Sequence, residues 1–254
     1  MCFDLDSSPP IPRVTGGSVD HEDLVLAASD GNEFAAFEAR SGVDGGPAAC
    51  ILPDVRGLFT FYEELALRFA EHGMDAIAID YFGRTAGVSK RQADWDYMPH
   101  VLETTIEGLT ADVTVAVDRL RRGSPDRAIF VVGFCFGGSN AWHMAAADLG
   151  LAGAIGFYGN PTRENLPIGS PSAIDSVERF SCPVLALQAG DDPGIPQEAS
   201  RAFEDAIASA GKQGEVVIYD GAPHSFFDRK YDEFTRASAD AWTRIQRFIA
   251  QNAK

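Results

Sequence analysis

Cysteine is scarce in this chain: four residues in 254, at Cys2, Cys50, Cys135 and Cys182, with no CxxC pair and no clustering with the five histidines. That scatter argues against a disulfide framework or a zinc site, and a reducing cytoplasm is the expected compartment. Positive charge is also in deficit. Lys and Arg number 21 against 37 Asp and Glu, a net charge of −16, which disfavours nucleic acid and anionic membrane surfaces as partners. No apolar run approaches the roughly 18 residues of a membrane span. The opening MCFDLDSSPPIPRV lacks the basic-then-apolar order of a signal peptide. There is no repeat of fixed period and no low-complexity linker, so one domain over residues 1–254 is expected.

What the chain does have is apolar material, 45% of its residues, including 17 Phe and 3 Trp. This is enough for one sizeable core. LVLAAS and EFAAFEAR flank an Asp30-Gly31-Asn32 turn signal and predict an N-terminal antiparallel hairpin. After the loop at 41–47, apolar runs at 48–52, 75–79, 128–133, 152–158, 183–188 and 215–219 read as strands covered on both faces. Between them lie helical stretches at 61–71, 105–121, 136–148, 197–210 and 233–251. In the second, Ile106, Leu109, Val113, Val117 and Leu120 make one face. The alternation predicts an α/β fold with a mostly parallel, doubly wound sheet. The closing helix, with Trp242, Ile245, Phe248 and Ile249, is expected to pack on its own sheet, giving a monomer.

Ligands of such sheets sit at the carboxyl ends of strands. After the run 128–133 comes Gly133-Phe134-Cys135-Phe136-Gly137-Gly138 and then a helical segment, which matches the G-x-S-x-G nucleophile elbow with Cys in the serine position. A thiol near a helix N-terminus is favoured as thiolate. Cys50 lies within a strand and Cys182 precedes Pro183, so both read as structural. A nucleophile needs a base held by an acid, in that fold's order nucleophile, acid, His. Asp191 and Asp192 follow the strand 183–188. His224 follows the last core strand, 32 residues after Asp192. Spacing alone does not choose between the neighbouring acids. His21, His72, His100 and His143 have no comparable placement.

The combination resembles the dienelactone hydrolase family of α/β-hydrolases, from about Val25 onwards, through G-F-C-F-G-G, D-P-G-I-P and G-A-P-H-S-F-F. The resemblance implies an α/β-hydrolase fold and selects Asp192 as the acid. It implies a Cys135 acyl-enzyme mechanism with His224 as base, and an oxyanion hole from the backbone N–H groups of Val55 and Phe136. Asp54 stands where the family has a Glu that controls the cysteine's ionisation, one methylene shorter. Arg84, within Asp80-Tyr81-Phe82-Gly83-Arg84, corresponds to an arginine that binds a substrate carboxylate. A second such arginine would fall at Asp228, next to Arg229.

Tyr81, Trp95, Tyr97, Met98 and Trp142 are candidate pocket aromatics and pocket side chains, with 87–103 as a specificity segment and 160–180 as a second candidate rim. The expected activity is opening a lactone or cleaving a small, carboxylate-bearing carboxylic ester, the partner being that small-molecule substrate. This hydrolytic chemistry requires neither metal nor cofactor. The alternatives are a broad carboxylesterase or thioesterase acting on neutral substrates, and a non-catalytic binding or sensory protein of the same fold.

Overall fold

A computed structural model describes residues 3–4, 6–14, 19–92 and 94–253. Cys2 lies outside the described residues. The strands are β1 (Asp20–Ala27), β2 (Glu33–Arg40), β3 (Ala48–Leu52), β4 (Asp75–Ile79), β5 (Ile129–Phe134), β6 (Gly153–Phe157), β7 (Val184–Asp191) and β8 (Gly214–Pro223). The helices are α1 (Thr60–Glu71), α2 (Gly83–Ala86), α3 (Met98–Glu103), α4 (Ile106–Leu120), α5 (Phe136–Ala145), α6 (Ala173–Ser176), α7 (Gln197–Ser209) and α8 (Thr235–Asn252).

All eight strands form one sheet in the order β1-β2-β4-β3-β5-β6-β7-β8. β1 pairs antiparallel with β2, as the turn signal predicts, and β2 pairs antiparallel with β4; every later pairing is parallel. Strands β3, β5 and β6 are buried at every position, which is why they read as unbroken apolar runs rather than as alternation.

Two hydrophobic layers cover the sheet. On one face Phe61, Leu65 and Phe69 of α1 and Trp242, Ile245 and Phe248 of α8 meet the strands. On the other lie Leu109, Val113 and Val117 of α4, Trp142 of α5 and Phe203 of α7. α4 starts where Thr105 accepts the Gly108 N–H at 3.1 Å, a side-chain cap on the helix's first turn. α5 is buried along its whole length, so it shows no single apolar stripe and is placed by its position behind β5. Among the described residues, no helix is long and apolar enough to cross a membrane.

Candidate active site

The turn from β5 into α5 is dictated by close backbone approach. A Cβ at Gly133 would lie 1.8 Å from the Gly137 carbonyl oxygen, and one at Gly137 would lie 2.2 Å from that of Leu52. Only glycine at both positions lets the helix begin this close to the sheet. Between them Cys135 takes φ 57°, ψ −113°, a left-handed conformation that an L-residue adopts at a cost and that recurs at functional turns. Cys135 is half-buried, whereas Cys50 and Cys182 are buried, and burial pushes both of those thiols up to about 12.

Cys135, Asp192 and His224, distant in sequence, converge on one cavity of about 260 Å³. His224 Nδ1 lies 2.5 Å from Asp192 Oδ2, and the imidazole also hydrogen-bonds Cys135. Burial disfavours the imidazolium, but the bond to Asp192 and the bond and charge of Cys135 outweigh it and raise His224 to about 9. Burial likewise opposes ionisation of Asp192. The hydrogen bond and charge of His224, with the Gly194 N–H donating at 2.9 Å, outweigh that and hold the carboxyl below its ordinary range. Asp191 ends β7 exposed to solvent. Tyr158, buried and at φ 35°, sets its ring 4.8 Å from that of His224.

The loop after β3 forms the opposite wall. Val55 and Phe136 both line the cavity, and the Tyr81 hydroxyl donates to the carbonyls of Pro53 and, at 2.9 Å, Asp54. Tyr81 is 2% exposed and is absent from the cavity lining, so it supports this loop from beneath rather than lining the cavity. Asp54 is buried against Arg56, with Oδ2 3.1 Å from the guanidinium. Burial raises its carboxyl above the ordinary value, opposed by Arg56 and reinforced by the charge of Cys135. Asp80, at the end of β4, accepts from the Leu58 N–H at 3.1 Å and pairs with Arg91 at 2.7 Å. This buried pair fixes the same loop; Asp80 opens the Asp80–Arg84 motif without a role of its own there, and Arg91 carried no sequence signal.

Several expected substrate contacts lie away from the cavity. Arg84 is not at the cavity: its guanidinium pairs with Asp30 and, at 2.8 Å, with Asp112. A Cβ at residue 108 would meet Arg84 Nε at 2.7 Å, so Gly108 leaves the arginine its berth against α4. Trp95 is turned away as well, stacked on His100 at 5.2 Å and covered by Arg91 at 4.6 Å. No described residue of 87–103 lines the Cys135 cavity. Trp142 packs on Phe203 beneath α5, and Met98 is 47% exposed. Asp228 and Arg229 border a separate groove formed with residues 9–13 and α8. The 160–180 segment does reach the site: Asn160, Arg163 and Leu166 line the cavity. Arg163 carried no motif; its signal was its place in a polar Asn-Pro turn directly after β6.

Among the described residues, no group of three or more His, Cys, Asp or Glu side chains is gathered as a metal site. A largely parallel sheet entered by an antiparallel hairpin, with a strained residue between β5 and α5, defines an α/β-hydrolase. The chain belongs to the dienelactone hydrolase family, whose profile matches residues 34–253, and is by that membership a hydrolase of ester or lactone bonds.

Two curated relatives and one solved structure place it further. A Rhodococcus opacus protein named "Carboxymethylenebutenolidase" is 29% identical, with 98% of this chain and 96% of that one covered. A Bradyrhizobium protein named "Probable 2-oxo-3-(5-oxofuran-2-ylidene)propanoate lactonase" is 28% identical, covering 87% and 90%. The crystal structure of a Klebsiella pneumoniae protein described as "Putative Dienelactone Hydrolase" superposes with a TM-score of 0.81 at 24% identity, covering 92% of this chain and 99% of that one. At that identity the structural likeness speaks for the fold.

Proposed function

We propose that this protein hydrolyses a small carboxylic ester or lactone through a covalent Cys135 acyl-enzyme. The observation that carries the reading is the unbroken array Asp192–His224–Cys135 at the floor of a cavity. Asp192 fixes the imidazole by taking Nδ1. The other ring nitrogen then shares the proton of the thiol, giving a thiolate–imidazolium pair at neutral pH. Sγ attacks the carbonyl carbon, and the oxygen that gains the negative charge is received by the Val55 and Phe136 N–H groups. Collapse breaks the bond to the leaving oxygen, which takes its proton from His224. A water, deprotonated by His224, then attacks the thioester and releases the acid and the thiolate.

Asp54 lies close enough to Cys135 for its charge to be felt, so a neutral Asp54 favours the thiolate and an ionised one opposes it. The chemistry needs a reduced thiol, which suits a reducing cytoplasm. The lactone-acting names of the relatives support lactones among the substrates. The test is Cys135→Ala against wild type on aryl esters and lactones: a loss of about 10³-fold or more in kcat is expected. Wild-type rates from the purified variant would refute the mechanism.

A further inference from the structure

The arginines on the β3 and β4 side of Cys135 are already committed. Arg56 faces Asp54, Arg84 faces Asp112 and Asp30, and Arg91 faces Asp80; Asp54, Asp80 and Asp112 are each 1% exposed or less. Withdrawing any of these cations to bind a substrate would strand a buried carboxylate, which is strongly unfavourable. An anionic substrate therefore finds no available guanidinium on that side.

Arg163 differs in every respect. It is exposed, lines the Cys135 cavity, and joins no ion pair among the described residues. Its backbone is nonetheless held on both sides. Asn160 Oδ1 accepts from the Thr162 N–H at 3.0 Å and its hydroxyl at 2.9 Å, and the Asn160 carbonyl accepts from Ser139 Oγ at 3.2 Å. Further on, Asn165 Oδ1 accepts from the Gly169 N–H at 2.8 Å, and Ile168 bridges to Thr105. The guanidinium is thus presented from a fixed loop, with His224 the only other cationic side chain among the described residues lining the cavity. In a chain of net charge −16, an anion is repelled at long range, so an unneutralised arginine at the mouth is the feature that reverses that bias locally.

We propose that Arg163 selects a carboxylate-bearing ester, binding the carboxylate through its paired N–H groups. Because β4 and β6 lie on opposite sides of β5, the substrate lies with its charged end toward the β6 loop and away from Arg84. This assignment rests on the Cys135 reading for its reaction, though not for its binding.

The test compares mono-p-nitrophenyl glutarate with p-nitrophenyl valerate, similar in length and differing in the terminal carboxylate. Arg163→Gln is expected to lower the charged-to-neutral ratio of kcat/KM at least tenfold, with Arg163→Lys intermediate. Arg122→Gln, an exposed arginine in the turn after α4, controls for the loss of one positive charge and should leave the ratio in place. Binding of the glutarate monoester is measured in parallel in the Cys135→Ala background, where Arg163→Gln is expected to raise Kd at least tenfold. If wild type cleaves neither ester, the Cys135 reading fails, and the binding arm still decides the role of Arg163. A ratio and a Kd unmoved by Arg163→Gln, or a ratio lowered instead by Arg84→Gln, overturns the inference.

Discussion

The two flanks of β5 are built on different principles. On the β3 and β4 side, Asp54, Asp80 and Asp112 are buried and each is met by an arginine, while Tyr81 ties down the carbonyls next to Val55. On the β6 side, a polar loop presents Arg163 to the cavity with no fixed partner among the described residues. Buried ion pairs add little net stability over apolar packing, but they define one geometry sharply. A proposed oxyanion site demands that sharpness, because its amides act only if they are aimed before the charge develops. Substrate choice demands an accessible charge, and loops beside a rigid scaffold supply it. The arginine of the Asp80–Arg84 motif is thus absorbed into the rigid flank, and charge recognition is left to the open one.

Breaking the rigid flank should have the largest effect. Arg91→Met leaves the Asp80 carboxylate buried without its cation and is expected to cost about 3–5 kcal/mol in urea unfolding. Adding Asp80→Asn to that variant should recover part of the loss. Arg84→Gln should cost about 1–3 kcal/mol, less because Asn32 still donates to Asp112 at 3.1 Å. Its charged-to-neutral selectivity should stay at the wild-type value; a collapse in selectivity would return Arg84 to the substrate and erase the contrast. Tyr81→Phe removes only the support beneath the Val55 loop. A fall in kcat of about tenfold with little change in KM is expected, since a loosened donor loses part of what deletion of an oxyanion donor costs. A change confined to KM would instead make Tyr81 a substrate contact.

The smallest effect is on pH dependence. His224 is raised from 6.5 to about 9, so the stabilisation from its charged form is complete below about pH 6.5 and is lost as pH rises through about 9. The Tm advantage of wild type over Asp192→Asn should therefore narrow between pH 7 and pH 10. A gap that widened with pH would mean that His224 is neutral in the fold.

Much of this was legible in the sequence where the signal is local. β3 and β4 coincide with the apolar runs at 48–52 and 75–79, and the predicted helix bounds fall within three residues of those observed. The elbow was legible because its glycines and Cys135 form one short contiguous run, and a Cβ at Gly133 would strike the Gly137 carbonyl only four residues on. Arg84 was misread because its partners, Asp30 and Asp112, lie 54 and 28 residues off. No spacing rule separates such a pairing from an arginine reaching for substrate. The pairing of Asp80 with Arg91, 11 residues on, likewise follows no spacing rule. Trp95 followed the rule that an aromatic in a variable segment faces a pocket, but its neighbours His100, Phe82 and Arg91 offered it stacking partners first. The shallow helices α2, α3 and α6 are too short to show periodicity.

The measurement closest to the central claim is intact mass after rapid acid quenching of the enzyme with p-nitrophenyl acetate, followed by peptide mapping. The account predicts a burst of nitrophenol matched by one acetyl group on Cys135, absent from Cys135→Ala and persisting longer in His224→Gln. Steady turnover with no acetylated Cys135 at any quench time, undiminished in Cys135→Ala, would contradict it.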